Sequence, residues 1–319
     1  MLQKLSEKLK GVKKNISLKD FTTYKIGGPA KYFFIAKSKE DLMLAAKTAK
    51  EFKLPVFILG GGSNLLISDK GFNGLVIKID ISGTKFQGNE VLAGAGADLI
   101  KLAYLSAGNG LSGLEWAAGI PGATLGGSIY GHAQAFGVKI SEVVESVEAI
   151  GLKTLKLKNF TKEQCQFSLK NSIFKKNKNL AIVSAVLKLG KKNTGEIKNK
   201  VRENISYRKS MHPMDFPSAG STFVNPETKI KDKKLLIKFP ELEAYNKKGV
   251  IPAGFLIRSS GLAGKKIGNA QISEKHANFI INLGGAKAKD VVALTKLAKQ
   301  KVKKIFNVDL EQEVQMVGF

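Results

Sequence analysis

The sequence predicts an α+β fold in more than one domain. Short apolar strand segments are interspersed with amphipathic helices, glycines mark many of the turns, and 319 residues with 43% hydrophobic content can fill more than one core. A lysine-bearing amphipathic stretch predicts an N-terminal helical segment over 1–20. A charged helical segment at Lys191–Ser206 marks the best domain boundary, so we expect domains over 21–190 and 191–319.

The individual elements follow from their hydrophobic periodicity. Strands are predicted where apolar residues form short runs, and helices where apolar residues recur on one face. The predicted strands are 30–36, 55–59, 75–79, 91–93 and 279–283, and the predicted helices are 39–52, 98–107 and 289–306. The last helix places Val291, Leu294, Ala298, Val302 and Ile305 on one face.

The charge balance is strongly basic: 52 basic and 26 acidic residues give a formal net charge of +26. This favours an anionic partner, either nucleic acid or a phosphate-rich ligand that is attracted electrostatically. Only Arg202, Arg208 and Arg258 are arginines, and the lysines are spread along the whole chain, which argues against base recognition. A lysine-biased solvated surface is therefore the favoured interpretation, electrostatic attraction of anionic ligands is the alternative, and we expect no nucleic-acid partner.

Cysteine and histidine usage argues against disulfides and metal. Cys165 is the single cysteine, and His132, His212 and His276 lack metal-ligand spacing. No run approaches the roughly 18 apolar residues of a membrane-spanning helix, and the N-terminus lacks the apolar core of a signal peptide. We therefore expect a cytoplasmic protein without a metal and without contact with a membrane.

The run Gly60-Gly61-Gly62-Ser63-Asn64 follows directly after the predicted strand 55–59. Glycine permits close contact and positive φ, so such a run can bring backbone N–H groups close to an anion. The run matches neither the Rossmann spacing nor the P-loop pattern, which disfavours a classical dinucleotide fold and an ATPase. Taken alone, it fits a tight turn after a strand equally well.

A second glycine-rich region extends from Gly119 to Ser128 and includes Pro121, Gly122, Gly126 and Gly127. Proline-glycine turns and paired glycines in an apolar setting suit a backbone wrapped closely around a flat or extended cofactor. A packed loop with glycine bends is the alternative. Two such regions in one domain raise the odds of a dinucleotide-binding site.

Ser221 lies in the segment Ser218–Pro226, after a glycine. The segment is not the Gly-x-Ser-x-Gly elbow and no histidine has a matching spacing, which disfavours hydrolase chemistry. By spacing alone, a serine that caps or turns the chain is the favoured interpretation.

Seven motifs in a fixed order resemble those of the UDP-N-acetylenolpyruvoylglucosamine reductase family. They extend from about Thr22 to Gly318, and their order is far more specific than any single one. The motifs are Thr22-Thr23-x-x-Ile26-Gly27-Gly28-x-Ala30, the Gly60–Asn64 run, Gly119-Ile120-Pro121-Gly122 with its following double glycine, Ser218–Pro226, Ala253-Gly254-x-Leu256-Ile257, Ser273–Phe279 and Leu310–Val314. The short passage from Phe174 to Arg202 resembles the type II subclass, which lacks a tyrosine-bearing loop of type I.

The resemblance implies an FAD-binding domain of the vanillyl-alcohol-oxidase (PCMH) type in two subdomains over 21–190. It further implies a C-terminal α+β substrate-binding domain over 191–319. The implied cofactor is noncovalent FAD, with NADPH as co-substrate. Hydride would pass from NADPH to FAD and on to the enolpyruvyl group of UDP-N-acetylglucosamine enolpyruvate, and protonation would give UDP-N-acetylmuramate, a peptidoglycan precursor. The implied protein is a cytoplasmic monomer.

The resemblance also implies roles for individual residues. Ser221 matches the family's proton donor, Glu313 its catalytic glutamate and Asn225 a substrate contact, while His276 is expected on the substrate side. A serine hydroxyl is a weak acid, so a nearby cation must help to stabilise the enolate. The residues expected to hold FAD are Gly60, Gly61, Gly62, Ser63, Asn64, Gly119, Pro121, Gly122, Gly126, Gly127 and Arg208.

The sequence departs from the family pattern at several positions. Lys170 stands where the family has its catalytic arginine, and we expect its ammonium to stabilise the enolate instead. A lysine without a catalytic role at this position is the alternative. The other departures are His132, Gln134, Met211, Gln315 and one additional residue between the Pro-Gly and Gly-Gly pairs of the second glycine-rich region.

Two rival functions remain open. The first is a diverged flavin oxidoreductase of the same fold with another substrate, against which Ser221, Asn225 and Glu313 argue because they match the reductase's substrate side. The second is a basic nucleic-acid-binding or non-catalytic protein, supported only by the charge. Flavin bound to the purified protein would separate these two classes.

Overall fold

The computed structural model describes residues 2–319 as a succession of short strands and mostly short helices. The helices are α1 (Leu2–Lys8), α2 (Lys39–Glu51), α3 (Leu99–Gly108), α4 (Leu125–Tyr130), α5 (Ile173–Lys176), α6 (Thr194–Met211), α7 (Lys233–Lys238), α8 (Glu241–Lys248), α9 (Ala253–Ser259) and α10 (Ala288–Phe306). The strands are β1 (Lys13–Ser17), β2 (Pro29–Ala36), β3 (Val56–Leu59), β4 (Leu65–Ile67), β5 (Phe72–Ile79), β6 (Thr84–Gln87), β7 (Glu90–Gly94), β8 (Leu111–Ser112), β9 (Gln134–Ala135), β10 (Val138–Lys139), β11 (Val144–Gly151), β12 (Leu157–Thr161), β13 (Leu180–Lys188), β14 (Gly190–Lys191), β15 (Ser218–Ser221), β16 (Lys266–Ile267), β17 (Ala270–Ile272), β18 (Phe279–Asn282) and β19 (Gln315–Val317).

These elements form two compact units, each made of segments that are separate in sequence. The first unit contains the described residues up to Ser17, Pro29–Gly62 and Gly71–Arg208. The second contains Leu18–Gly28, Ser63–Lys70 and Lys209–Phe319. Two short early segments thus fold with the C-terminal third of the chain, because their apolar residues join its core.

A four-stranded sheet in the first unit has the order β1-β2-β5-β3. Strands β2, β5 and β3 are parallel, and β1 is antiparallel to β2 at the edge. Helix α2 packs against β2 and β5. It begins at a capping box in which the Ser38 hydroxyl accepts a hydrogen bond of 3.0 Å from the Asp41 backbone N–H. The carboxyl ends of parallel strands form one edge, which is where such sheets bind ligands.

The N-terminal segment is α-helical only over Leu2–Lys8, followed by a strand and a short 3-10 helix at Leu18–Phe21, so the expectation of one helical segment over 1–20 is wrong for its middle part. Gly11 has φ +88°, a left-handed conformation that glycine adopts without strain and that ends the helical path. Lys13–Ser17 then pairs with β2 as a strand. A short amphipathic pattern is weak evidence for a helix when a sheet edge offers backbone partners.

A five-stranded antiparallel sheet in the first unit has the order β12-β11-β13-β7-β6. Helix α3 begins after Asp98, whose carboxylate accepts a hydrogen bond of 2.8 Å from the Lys101 N–H. One large hydrophobic core lies in this unit, and it includes the buried side chains of Trp116 and Phe174. The predicted helix 98–107 and strand 91–93 are confirmed within one residue at each end.

The second unit is built on an antiparallel sheet of order β15-β18-β17-β16. Helix α10 packs against β16, β17 and α9, and it buries Val291, Leu294, Ala298 and Val302. The predicted strand 279–283 and helix 289–306 are confirmed as β18 and α10. Strand β4 forms a separate parallel pair with β19. Within residues 2–319, no helix is both long and apolar enough to cross a lipid bilayer.

Candidate active site

The two glycine-rich regions come together in the first unit. Gly60 follows the end of β3, and a Cβ built there would lie 3.0 Å from the hydroxyl oxygen of Thr124. A Cβ at Gly61 would overlap the carbonyl oxygen of Gly122, so only glycine allows this approach of one backbone to the other. Thr124 caps α4 by accepting a hydrogen bond of 3.3 Å from the Gly127 N–H. We name this contact the glycine junction (Gly60–Gly62 against Gly122–Thr124).

Arg208 packs in the same unit against Gly119, where a Cβ would overlap the arginine side chain. The guanidinium carbon of Arg208 lies 5.4 Å from the centroid of the Phe136 ring. Burial lowers the pKa of the Arg208 guanidinium, and its buried Nε has no hydrogen-bond partner within residues 2–319. A buried, unpartnered N–H donor on a cation is costly, and an anionic ligand would satisfy it. Arg208 and the glycine junction therefore fit a phosphate-bearing cofactor.

Lys170 lies at the tip of a tight turn in the first unit. Ser168 and Asn171 exchange two backbone hydrogen bonds of 3.1 and 3.0 Å, which leaves Leu169 and Lys170 at the tip. Lys170 has φ +53°, a left-handed conformation that is strained for a residue with a side chain. The ammonium of Lys175 donates a hydrogen bond of 2.7 Å to the Lys170 carbonyl oxygen. Both sides of the turn are therefore fixed by hydrogen bonds.

His132 fixes this turn from outside it. Its Nδ1 lies 2.5 Å from the Ser168 carbonyl oxygen and its Nε2 lies 2.8 Å from the Ser141 hydroxyl. A carbonyl oxygen can only accept, so Nδ1–H donates to Ser168 and Nε2 accepts from Ser141. The ring also packs on Phe167 with the centroids 4.9 Å apart. Burial lowers the pKa of His132, the Ser168 hydrogen bond raises it, and the charges of nearby lysines, including Lys170, lower it further.

Ser221 and Glu313 are on neighbouring backbone segments in the second unit. The Glu313 N–H donates a hydrogen bond of 2.9 Å to the carbonyl oxygen of Thr222, the residue after Ser221. The Ser221 hydroxyl is half-buried and forms no hydrogen bond within residues 2–319. The Asn64 side-chain amide donates a hydrogen bond of 3.2 Å to the Glu313 carbonyl oxygen. The structure therefore places Asn64 beside the Glu313 segment.

Asn225 and His276 also lie in the second unit. Asn225 is exposed, and its side-chain oxygen accepts a hydrogen bond of 3.0 Å from the Ala253 N–H. The His276 ring packs edge-on against Phe279 at 4.9 Å between centroids. Burial lowers the pKa of His276, and the charge of Arg258 lowers it further. Asn225 keeps its amide N–H groups as donors, whereas burial of the His276 ring favours its neutral form.

The predicted site residues thus divide between the units. The first unit holds the expected FAD contacts Gly60, Gly61, Gly62, Gly119, Pro121, Gly122, Gly126, Gly127 and Arg208, together with Lys170; the second holds Ser63, Asn64, Ser221, Asn225, His276 and Glu313.

Sequence analysis did not single out Lys78 or Thr124. The Lys78 ammonium donates a hydrogen bond of 2.7 Å to the Gly60 carbonyl oxygen, next to the glycine junction. A signal for Lys78 was present, because it is the one charged residue in the apolar run Leu75–Ile79. Thr124 lies inside the second glycine-rich region, but its cap on α4 depends on a helix of only six residues, which periodicity does not detect.

An open groove of about 600 Å³ in the first unit, lined in part by Lys37, Asp80, Glu148 and Ser184, contains none of the predicted site residues. We assign it no role in the reaction. Within residues 2–319, no three His, Cys, Asp or Glu side chains are grouped so as to hold a metal ion.

Comparisons with known proteins identify an FAD-binding domain and a C-terminal domain in this chain. Residues 30–152 match the family model of an FAD binding domain, and residues 212–317 match that of the UDP-N-acetylenolpyruvoylglucosamine reductase C-terminal domain. The chain is 37% identical to UDP-N-acetylenolpyruvoylglucosamine reductase of Halalkalibacterium halodurans over 96% of this chain and 94% of that protein. The enzyme of the same name from Caldanaerobacter subterraneus is also 37% identical, over 100% of this chain and 98% of its own length.

A solved structure gives the same result. The crystal structure of UDP-N-acetylenolpyruvylglucosamine reductase from Thermus caldophilus aligns with a TM-score of 0.76 and 30% identity, covering 96% of this chain and 98% of that one. The glycine junction, the FAD-domain match and the C-terminal domain define an FAD-dependent oxidoreductase with a fold of the vanillyl-alcohol-oxidase type, which confirms the predicted fold class and cofactor. Within that class, the chain belongs to the UDP-N-acetylenolpyruvoylglucosamine reductase family.

Proposed function

We propose that this chain reduces UDP-N-acetylglucosamine enolpyruvate to UDP-N-acetylmuramate, with NADPH as the electron source. Membership of the reductase family over nearly the whole chain supports the substrate. The observation that carries the proposal is that the Ser221 hydroxyl forms no hydrogen bond in residues 2–319. The next residue, Thr222, accepts a hydrogen bond from the Glu313 backbone N–H. A hydroxyl in this state is available to deliver a proton.

FAD, when bound, supplies the hydride-transfer chemistry of the reaction. The residues that would hold it are those of the glycine junction, with Gly119 and Arg208. Backbone N–H groups of glycine turns and an arginine fork both suit phosphate oxygens. The functional division predicted from the sequence, with FAD held by 21–190 and the substrate by 191–319, stays a prediction.

Ser221 is the proposed proton donor. Hydride addition to the terminal methylene carbon of the enolpyruvyl group leaves negative charge on the carbon next to the carboxylate, and this carbon must be protonated. A serine hydroxyl is a weak acid, so the proton moves readily only when the enolate is strongly basic and the resulting alkoxide is stabilised. Glu313 is the proposed catalytic glutamate, and its backbone is fixed by hydrogen bonds to Thr222 and Asn64.

Lys170 is the proposed counter-charge for the enolate. Its turn is tied by His132 and by Lys175, so the position of its backbone is well determined. A lysine offers a point charge without the bidentate fork of arginine, and it therefore gives electrostatic stabilisation with looser orientation of the carboxylate. Asn225 and His276 are the proposed substrate contacts, and the free amide donors of Asn225 suit an oxygen-rich nucleotide sugar.

The expected partners are small anions. FAD, NADPH and the nucleotide sugar all carry phosphates, and a protein with a formal charge of +26 attracts each of them. We propose a cytoplasmic monomer with no nucleic-acid partner, to be checked by light scattering and by gel-shift assays with duplex DNA.

The proposal is tested by separating the two half-reactions under anaerobic conditions. NADPH should bleach the yellow absorbance of the holoenzyme, and the enolpyruvyl substrate should then restore it. Mass spectrometry should detect UDP-N-acetylmuramate in an amount equal to the flavin reoxidised. NADH in place of NADPH serves as the control for coenzyme choice.

The outcomes separate the rival functions. A holoenzyme that NADPH reduces, but that the enolpyruvyl substrate fails to reoxidise, would be a flavin oxidoreductase with another substrate. A protein that neither contains nor binds FAD would contradict the assignment altogether and leave only a non-catalytic role for its basic surface.

A further inference from the structure

Lys78 is placed at a ligand-binding edge of the first unit. It lies on β5, the central one of three parallel strands, and pairs in register with Ile35 of β2 and Leu59 of β3. It is the penultimate residue of β5, next to the carboxyl ends of all three strands. This edge is where sheets with parallel strands bind ligands. The other residues of the run Leu75–Ile79 are apolar and buried.

The contacts of Lys78 engage two of the three donors of its ammonium and do not neutralise its charge. The ammonium donates to the carbonyl oxygens of Gly60 at 2.7 Å and Ile79 at 3.4 Å. No carboxylate lies within 4.0 Å of it in residues 2–319. Burial lowers the pKa of Lys78, and the charge of Asp80 only partly opposes this. Lys78 is thus a half-buried cation without an ion-pair partner.

Such a cation is expensive to maintain without a counter-charge. A lysine that serves only to fill space commonly extends its ammonium into solvent, whereas Lys78 directs it to the carbonyl of Gly60. Gly60 is the first residue of the glycine run, and the next residue, Gly61, is pressed against Gly122. The ammonium therefore contacts the backbone at the start of the glycine junction.

We propose that Lys78 is a positioning residue of the FAD site, which fixes the Gly60–Gly62 turn through the Gly60 carbonyl and provides the counter-charge for the FAD pyrophosphate. The inference rests on the FAD site proposed above and adds to it a cation that lies outside both glycine-rich segments. Its chemistry matches the ligand, because a pyrophosphate bears negative charge on oxygens that accept hydrogen bonds from ammonium groups. It also accounts for a charged residue in the otherwise apolar run Leu75–Ile79.

The test measures FAD affinity directly and does not depend on turnover. The full-length apoprotein is titrated with FAD, and the dissociation constant is read from the change in flavin fluorescence at low and high salt. Lys78→Met removes both hydrogen bond and charge, Lys78→Gln keeps a donor without the charge, and Lys78→Arg keeps the charge. Lys31→Met is the matched control, because Lys31 is an exposed lysine on the adjacent strand β2.

We expect Lys78→Met to raise the FAD dissociation constant about 10- to 100-fold, as for the loss of one charge-assisted hydrogen bond. Its affinity should also depend less on salt than that of the parent. Lys78→Gln should fall between Lys78→Met and the parent, Lys78→Arg should bind more tightly than Lys78→Met, and Lys31→Met should bind like the parent.

Equal FAD affinity and equal salt dependence in Lys78→Met and the parent would overturn the proposal. If the circular dichroism of Lys78→Met shows an unfolded protein, Lys78→Gln decides, and parent-like affinity and salt dependence in that variant would overturn it too. A parent protein that binds no FAD would overturn the cofactor assignment and this inference together. A parent that binds FAD and a Lys78→Met variant that binds equally well would refute only the role of Lys78.

Discussion

At the scale of single residues, the proposed chemistry depends on how firmly a few side chains are held. The Ser221 hydroxyl has no hydrogen-bond partner in residues 2–319, whereas the backbone that carries Lys170 is tied by His132 and Lys175. A proton donor must be free to turn towards its acceptor, but a counter-charge gains from preorganisation. The two residues therefore suit different steps of one reaction.

Ser221→Ala should separate the two half-reactions. Flavin reduction by NADPH should stay nearly intact, because no proton from Ser221 is needed there. Reoxidation by the enolpyruvyl substrate should slow by about 10²- to 10⁴-fold, the usual effect of removing a positioned acid. Stopped-flow absorbance measures both, and Ser218→Ala on the same strand is the control. Equal slowing of both half-reactions would point to a folding or cofactor-binding role for Ser221.

Lys170→Met should slow substrate-driven reoxidation by roughly two orders of magnitude, the effect of removing one preorganised transition-state donor. Lys170→Arg should keep most of the activity, because the charge remains. Lys176→Met removes an exposed lysine from the nearby helix α5 and should behave like the parent. A folded Lys170→Met variant that reoxidises at the parent rate would show that another cation, such as Lys175 or Lys209, has this role.

The burial of His132 predicts a stability that falls in mild acid. Its folded-state pKa is lowered from an unfolded value of about 6.5, so the unfolded state binds more protons as the pH falls below that value. The stabilisation that neutral His132 provides is therefore complete above about pH 6.5, and it is lost as the pH falls from there through the folded-state pKa of His132. Urea denaturation near pH 7.5 and 5.5 should show a smaller loss of unfolding free energy for His132→Asn than for the parent. An equal loss in both proteins would mean that His132 is not a source of the pH dependence.

All the site residues predicted from the sequence, except Lys170 and Arg208, stand in one of the seven motifs. Ser221, Glu313 and the glycine runs belong to such motifs, whereas the contact of Lys78 with Gly60 joins positions 18 residues apart through the register of two strands. No pattern along the chain specifies that register. For the same reason, the sequence did not reveal that Asn64 bonds the Glu313 backbone across 249 positions.

At the scale of elements, the approach of two backbone segments at the glycine junction depends on the absence of side chains. Gly61→Ala should raise the FAD dissociation constant on the order of tenfold or more, because a methyl group there overlaps the Gly122 carbonyl and must push the segments apart. Gly83→Ala is the control in the same unit, because a Cβ at Gly83 meets no atom within 4 Å. Fluorescence titration of the apoproteins compares them, and parent-like affinity in a folded Gly61→Ala would show that the junction does not set FAD binding.

The elements themselves were predictable to different degrees. Helices α2 and α10 have clear periodicity and were placed within one residue of their observed ends, and the short strands β3 and β18 followed from apolar runs. Strand β1 was not predicted, since its identity depends on pairing with β2 and not on its own residues. Likewise, β4 belongs to the second unit because it pairs with β19, a strand far away in the sequence.

At the scale of the whole molecule, the excess of positive charge should govern how fast anionic ligands arrive. Electrostatic attraction raises association rates by about 10- to 10³-fold and weakens steeply with salt. The second-order rate constant for flavin reduction at low NADPH concentration should therefore fall at least roughly tenfold between about 20 and 300 mM NaCl. The first-order rate at saturating NADPH is the control and should change little. A second-order rate constant that does not change with salt would show that the surface lysines do not accelerate the association of NADPH.

Strand β4 can pair with β19 only after residues 315–317 have been translated. Residues 65–67 leave the ribosome early, and they are all apolar and buried in the finished protein. Until residues 315–317 emerge, the nascent chain exposes this short apolar strand with an unpaired edge, a feature that promotes aggregation. A premature stop codon shortly before residue 315 would leave β4 without its partner strand. We therefore expect late truncations to be degraded by cellular proteases and not merely to be less active.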